Sequence, residues 1–191
     1  MKSKLEELAS GQSSESTLAF SDSFLGDEGC IALSDALRNN TCVTALDLRG
    51  CNIRSEGAIA LAQLLTANKQ IVTLGLEWNG IGMIESGIQA LCKAVASNVT
   101  LTELDLRNNS ISPAGGAALG ALVASNRSLK RLDIRWNNLG VSGGRALAEA
   151  LSNNRTLTEL QSAGNKVSED TARHIEECIR RNRSSARNTD A

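Results

Sequence analysis

Tyrosine is missing from this sequence, and only two Phe and two Trp occur among its 191 residues. A core so poor in rings must be filled by Leu, Ile, Val and Ala. No apolar run of about 18 residues is present, which excludes a membrane-spanning helix from the sequence pattern. Charge of one sign is not in excess either: 20 basic against 21 acidic side chains give a formal net charge of -1. Nothing in that balance draws nucleic acid or an anionic membrane. The N-terminus, MKSKLEELASGQSSES, lacks the apolar segment of a secretory signal. The five cysteines (Cys30, Cys42, Cys51, Cys92 and Cys178) are odd in number, and none are spaced Cys-x-x-Cys. That pattern supports neither a zinc site nor a disulfide framework. Reduced, mostly buried thiols and a cytoplasmic setting are expected instead.

Catalytic chemistry is equally hard to find. His174 is the one histidine, and it occupies a helical position that other segments fill with Ala. No His-Glu-x-x-His and no phosphate-cradling Gly-x-x-x-x-Gly-Lys-[Ser/Thr] occurs. The sequence therefore predicts no enzyme, no metal site and no cofactor.

What is present is repetition, the property to look for before any other. Leu18, Leu46, Leu74, Leu104, Leu132 and Leu160 head six similar segments, at spacings of 28, 28, 30, 28 and 28 residues. The third segment carries two extra residues within 82–86, after which the register resumes, so the insertion reads as a loop. Each segment opens as L-x-L-x-x-N-x-I, as in LDLRNNSI (104–111). Two apolar residues at spacing two belong to a short strand with one buried face. Asn79, Asn109, Asn137 and Asn165, replaced by Ser23 and Cys51 in two segments, suit a buried turn where a small polar group meets backbone partners. The second half starts at Gly29, Gly57, Gly87, Gly115 and Gly143 and has the three- and four-residue apolar spacing of an amphipathic helix. Asn40, Asn68, Asn98, Asn126, Asn154 and Asn182 follow the helices, where a left-handed stop is expected.

Such strands cannot bury themselves singly. Stacked, they predict an α/β solenoid: a parallel sheet on the concave side, helices on the convex side, and curvature because helices are wider than strands. The expected layout is an N-terminal capping helix and lead-in over 1–17, five repeats over 18–159, a sixth capping repeat over 160–183, and a polar, frayed tail over 184–191.

These residues resemble the ribonuclease-inhibitor-like leucine-rich repeats, over residues 15–182. Segments such as LEWNGIG (76–82) and LDIRWNNLG (132–140) are similar to the N-terminal repeat domain of centrosome-linker proteins that combine such repeats with a coiled coil. The resemblance implies a non-enzymatic scaffold that binds a protein partner through its concave face, in the cytoplasm, at the centrosome or cytoskeleton. Two other classes use the same repeat: the sensing domain of innate-immune nucleotide-binding receptors, and GTPase-activating proteins of the Ran type.

The residues facing the concavity are the site candidates. Asp47, Asp105 and Asp133 form an acidic column with Gly75 and Gln161. Arg49, Glu77, Arg107 and Arg135 form a mostly basic one, with diagonal Asp–Arg pairs expected between strands. Trp78 and Trp136, both tryptophans of the chain, occupy one repeat position beside it. Trp and Arg are the residues most enriched at binding hot spots. In ribonuclease-inhibitor-like proteins the equivalent edge commonly contacts ligand, which the resemblance implies here. The cluster Arg173, Arg180, Arg181, Arg183 and Arg187 is interleaved with acids and reads as a solvated helix face. The segment is expected to be monomeric.

Overall fold

The computed structural model describes residues 2–10 and 14–189. Helix α1 (Lys2–Ala9) precedes six strand–helix pairs. They are β1 (Thr17–Ala19) with α2 (Gly26–Leu37), β2 (Ala45–Asp47) with α3 (Ser55–Ala67), and β3 (Thr73–Gly75) with α4 (Glu85–Ser97). They continue as β4 (Glu103–Asp105) with α5 (Pro113–Ser125), β5 (Arg131–Asp133) with α6 (Gly140–Asn153), and β6 (Glu159–Gln161) with α7 (Glu169–Thr189). The six strands form one parallel sheet in chain order. Leu18, Leu46, Leu74, Leu104, Leu132 and Leu160 stand opposite one another in its register. Each helix packs on the next, so one layer of helices backs one layer of strands: a solenoid with the sheet inside its curve.

Each strand is only three residues long, because the chain turns as soon as it has buried two side chains. Those two are the register leucine and the apolar residue after the strand: Leu48, Leu76, Leu106 or Ile134, all buried. Ile53, Ile81, Ile111 and Leu139 close the coil before the helix begins. A single core runs from Leu8, in α1, to Ile179, in α7. Burying one such aliphatic side chain is worth about 1.5–3 kcal/mol, which sets leucine's repetition as the main source of stability.

Backbone groups in the buried turns are met by two ladders of asparagine. In the first, Asn137 Nδ2 donates to Leu106 O and Ile134 O, each at 2.9 Å, and its Oδ1 accepts from Asn109 N and Ile111 N at 3.0 Å. Cys51 takes the same place three coils earlier, its thiol donating to Phe20 O at 3.0 Å. The second ladder corrects the expectation of a left-handed stop. Asn68, Asn98, Asn126 and Asn154 end their helices in extended backbone, with φ between -79° and -72°. Asn126 shows why: Nδ2 donates to Val95 O and Asn98 O, while Oδ1 accepts from Ser128 N and Leu129 N, all at 2.7–2.9 Å. The side chain, not the backbone freedom of Asn, is what the position uses.

The helices start two or three residues ahead of the glycines that mark them in the sequence. Ser112 caps α5, accepting from Gly115 N, with Pro113 in the first turn. Asp27 caps α3 from the preceding coil, its Oδ1 accepting from Arg54 N at 2.7 Å and Gly57 N at 3.0 Å. Gly116 lies in the α5–α6 interface, where an added Cβ would stand 2.7 Å from Gly143 Cα. The two-residue insertion makes the turn before α4 and exposes Met83 and Ile84. At the ends, Leu8 of α1 joins the core, and α7 continues as helix to Thr189 through most of the segment expected to fray. Residues 11–13 of the lead-in and 190–191 of the tail lie outside the described residues.

Candidate protein-binding face

The concave columns are brought together as expected, but their pairing differs. Each arginine forks onto the aspartate two residues before it in its own coil. Nε lies 2.9–3.0 Å from Oδ1, and Nη2 lies 2.6–2.7 Å from Oδ2, for Arg49–Asp47, Arg107–Asp105 and Arg135–Asp133. The same Oδ1 accepts the arginine's own backbone N–H at 3.0–3.2 Å. One carboxylate thus turns the chain and holds the guanidinium, because both residues stay on the concave side where the strand ends. The local fork dominates, and the diagonal pairing expected between strands survives once, between Arg107 and Asp133. Hydrogen bonding from Arg49 holds the Asp47 carboxyl below its usual range.

Of these three arginines, Arg107 alone reaches across coils. It meets Glu77 Oε2 at 2.7 Å and Asp133 Oδ2 at 3.4 Å as well as Asp105, so one cation is shared by three carboxylates. A third column went unread in the sequence: Glu103, Arg131 and Glu159, one residue before the register leucines. Arg131 is paired with Glu103. The period that revealed the other columns also marks this one. Between the columns lies a groove of about 360 Å³, floored by Leu46, Leu74 and Leu104 and walled by Asp47, Asp105 and Asp133.

The tryptophans stand one residue beyond the Glu77 and Arg135 column and line a separate cleft. Trp78 is 66% exposed and Trp136 62%, and Phe24 is a further exposed ring, at 100%. Both have left-handed backbone, with φ of 56° and 58°. Their coil position is left-handed in every repeat: Asp22, Gly50, Asn108 and Gly164 occupy it elsewhere. Glycine and asparagine suit that conformation, and a bulky aromatic does not. The Trp136 ring lies against Gly164, where an added Cβ would be 2.5 Å from Cε3. Between the two rings runs a cleft of about 520 Å³ lined by Asn108, Ser110, Asn138 and Lys166.

Elsewhere, His174 Nε2 lies 2.9 Å from Ser152 Oγ and 3.7 Å from Cys178 Sγ. The Ser152 hydroxyl also lies 3.2 Å from Ala148 O. Two of the clustered arginines are also not merely solvated. Arg181 Nη2 donates to Leu151 O and Asn154 O, and Arg183 Nε to Thr158 O. Among the described residues no cluster of His, Cys, Asp and Glu has the geometry of a metal site. No helix there is long and apolar enough to cross a membrane.

A family model described as leucine-rich repeat matches residues 39–62, 97–120 and 125–148. These coils are leucine-rich repeats. Their resemblance is to the ribonuclease-inhibitor-like kind: pig (Sus scrofa) ribonuclease inhibitor is 33% identical over 100 residues, 51% of this chain and 22% of that protein. Leucine-rich repeat-containing protein 45 of Gallus gallus is 41% identical over 111 residues, 58% of this chain and 17% of its own length. The centrosomal protein of 78 kDa of Mus musculus is 35% identical over 77 residues, 40% of this chain and 10% of that one. The chain therefore spans less than a quarter of the curated relatives it matches. Among solved structures, actin-binding site 2 of leiomodin-1 superposes with a TM-score of 0.64 at 23% identity, covering 98% of this chain and 92% of that one. A likeness at that identity is one of fold.

Proposed function

We propose that this leucine-rich-repeat chain is a non-enzymatic scaffold that holds a protein partner against its concave sheet and the edge formed by Trp78 and Trp136. The observation that carries the reading is the pair of tryptophans. Each is large, exposed and set in a backbone conformation that opposes it, at a place where Gly or Asn would be easier. A residue kept against local stability is a residue with an external use. The ion pairs add orientation. Arg49, Arg107 and Arg135 are pre-organised by their aspartates, so a partner meets rigid forks rather than free side chains.

The names of the relatives support a setting at the centrosome or cytoskeleton, within the cytoplasm. Affinity capture with residues 1–191, followed by mass spectrometry, identifies the partner. Trp78→Ala combined with Trp136→Ala is expected to lower its capture tenfold or more while the thermal transition is retained. Capture unchanged by the double variant would remove the edge from the proposal. A tagged chain that colocalises with neither centrosomal nor actin markers would remove the setting.

A further inference from the structure

Just past its strand, each coil offers two backbone N–H groups to backbone carbonyls of the coil that follows. Leu76 and Trp78 donate to Asp105 O and Arg107 O at 2.9 and 3.0 Å. Leu106 and Asn108 donate to Asp133 O and Arg135 O at 2.8 and 3.1 Å, and Ile134 and Trp136 to Gln161 O and Ala163 O at 2.9 Å. The corresponding donors of the sixth coil are Ser162 and Gly164, and among the described residues neither has a protein acceptor. The other half of this edge is closed. Arg183 takes Thr158 O at 2.7 Å, the carbonyl that a further coil would use, as Thr158 itself uses Lys130 O. Arg181 takes Leu151 O and Asn154 O, as Asn154 takes Val123 O and Asn126 O one coil earlier. Helix α7 thus caps the acceptors of the terminal coil and leaves its two donors open.

Beside those donors lies a hollow of about 520 Å³ between β6 and α7, floored by Leu160, Val167, Ile175 and Ile179. One residue deepens it. Where other coils place Leu48, Leu76, Leu106 or Ile134, the sixth has Ser162. The rim carries Lys166, Arg180 and Arg183 against Glu176, an excess of positive charge. A sealed cap would present neither an apolar hollow nor a pair of free donors at strand spacing.

We infer that this end accepts an extended, acidic peptide as a seventh parallel strand. Carbonyls two residues apart on the peptide accept from Ser162 and Gly164, and the apolar side chain between them enters the hollow that Ser162 leaves. Flanking carboxylates face Lys166 and Arg180. This is strand addition to an open sheet edge, with backbone bonds giving affinity and one pocket giving selectivity. The site adjoins the tryptophan edge at Trp136, whose ring lies against Gly164, and is three coils away from Trp78.

The probe is a nine-residue peptide, Leu-Thr-Glu-Leu-Asp-Leu-Asp-Asn-Asn, which copies residues 101–109 of this chain with Arg107→Asp. Titrated into isotopically labelled chain 1–191, it is expected to shift the Ser162 and Gly164 amides saturably. Lys166→Glu combined with Arg180→Glu, both exposed positions, is expected to weaken binding tenfold or more with the spectrum otherwise intact. Replacing the leucine between the two aspartates by Asp is expected to abolish it, whereas Trp78→Ala leaves it unchanged. Equal binding of both peptides would overturn the inference, as would shifts confined to Trp78 and Asn108. Self-association of the chain through the same amides would also overturn it, since a second copy would then be the occupant.

Discussion

At the scale of single residues, the tryptophans set two requirements against each other. Left-handed backbone disfavours a residue other than glycine by about 1–2 kcal/mol. Trp78→Gly is therefore expected to raise stability by about 1 kcal/mol in urea denaturation, while lowering partner capture. A destabilised Trp78→Gly chain would show that the ring supports the fold instead. The conformation could have been read from Gly50, Asn108 and Gly164 at the same repeat position, though not from Trp78 itself. The Asp–Arg forks were less legible, because a three-residue strand turns before the alternation of a longer strand would apply. The cysteines allow a separate check. Burial pushes the Cys30 and Cys92 thiols up to about 12. In the unfolded chain they ionise near 9, so stability is complete below that pH and is lost as pH climbs from 9 toward 12. Native protein at pH 8 should leave both unreacted with a thiol reagent and react more readily at Cys42, which is partly exposed. Rapid native labelling of Cys92 would show that its coil opens.

At the scale of the element, a strand or helix here has no independent existence. A three-residue strand is stable only between two neighbours, and a 13-residue helix only against its own coil and the next. The apolar spacing made both legible, since the same leucines fix register and burial. Helix boundaries were less so: capping comes partly from other coils, as Asp27 does for α3, and no local pattern records that. The asparagine ladders are where elements are joined. Asn137→Ala would leave the Leu106 carbonyl and the Asn109 and Ile111 N–H groups without partners, while Ile134 O keeps Asn165 Nδ2, and about 1–3 kcal/mol is lost for each buried group so orphaned. With partial compensation by water, a loss of about 3 kcal/mol is expected in chemical denaturation. A loss under 0.5 kcal/mol would mean that the ladder is ornamental. Replacing exposed Asn138 in the same turn should change little, which controls for position.

At the scale of the whole molecule, the solenoid separates its tasks in space. Leucines inside the coils carry stability, the convex helices carry most of the surface, and the concave groove with its tryptophan edge is left free. The six-coil stack was plain from the sequence because its period is plain. The asymmetry of its last coil was not, because it depends on where Arg181 and Arg183 reach after α7 folds back. Each coil's buried amides have their partners in the coil before and the coil after. Apart from small insertions in a turn, such as that within 82–86, the molecule can therefore change length only in whole turns. Excising residues 104–131 joins Glu103 to Leu132 and presents every severed amide with an equivalent partner, so a shorter chain with the same helical content per residue is expected by circular dichroism. Removing only half that stretch should leave a chain that does not fold. A gene encoding this protein is free to gain or lose 28-residue units and little in between.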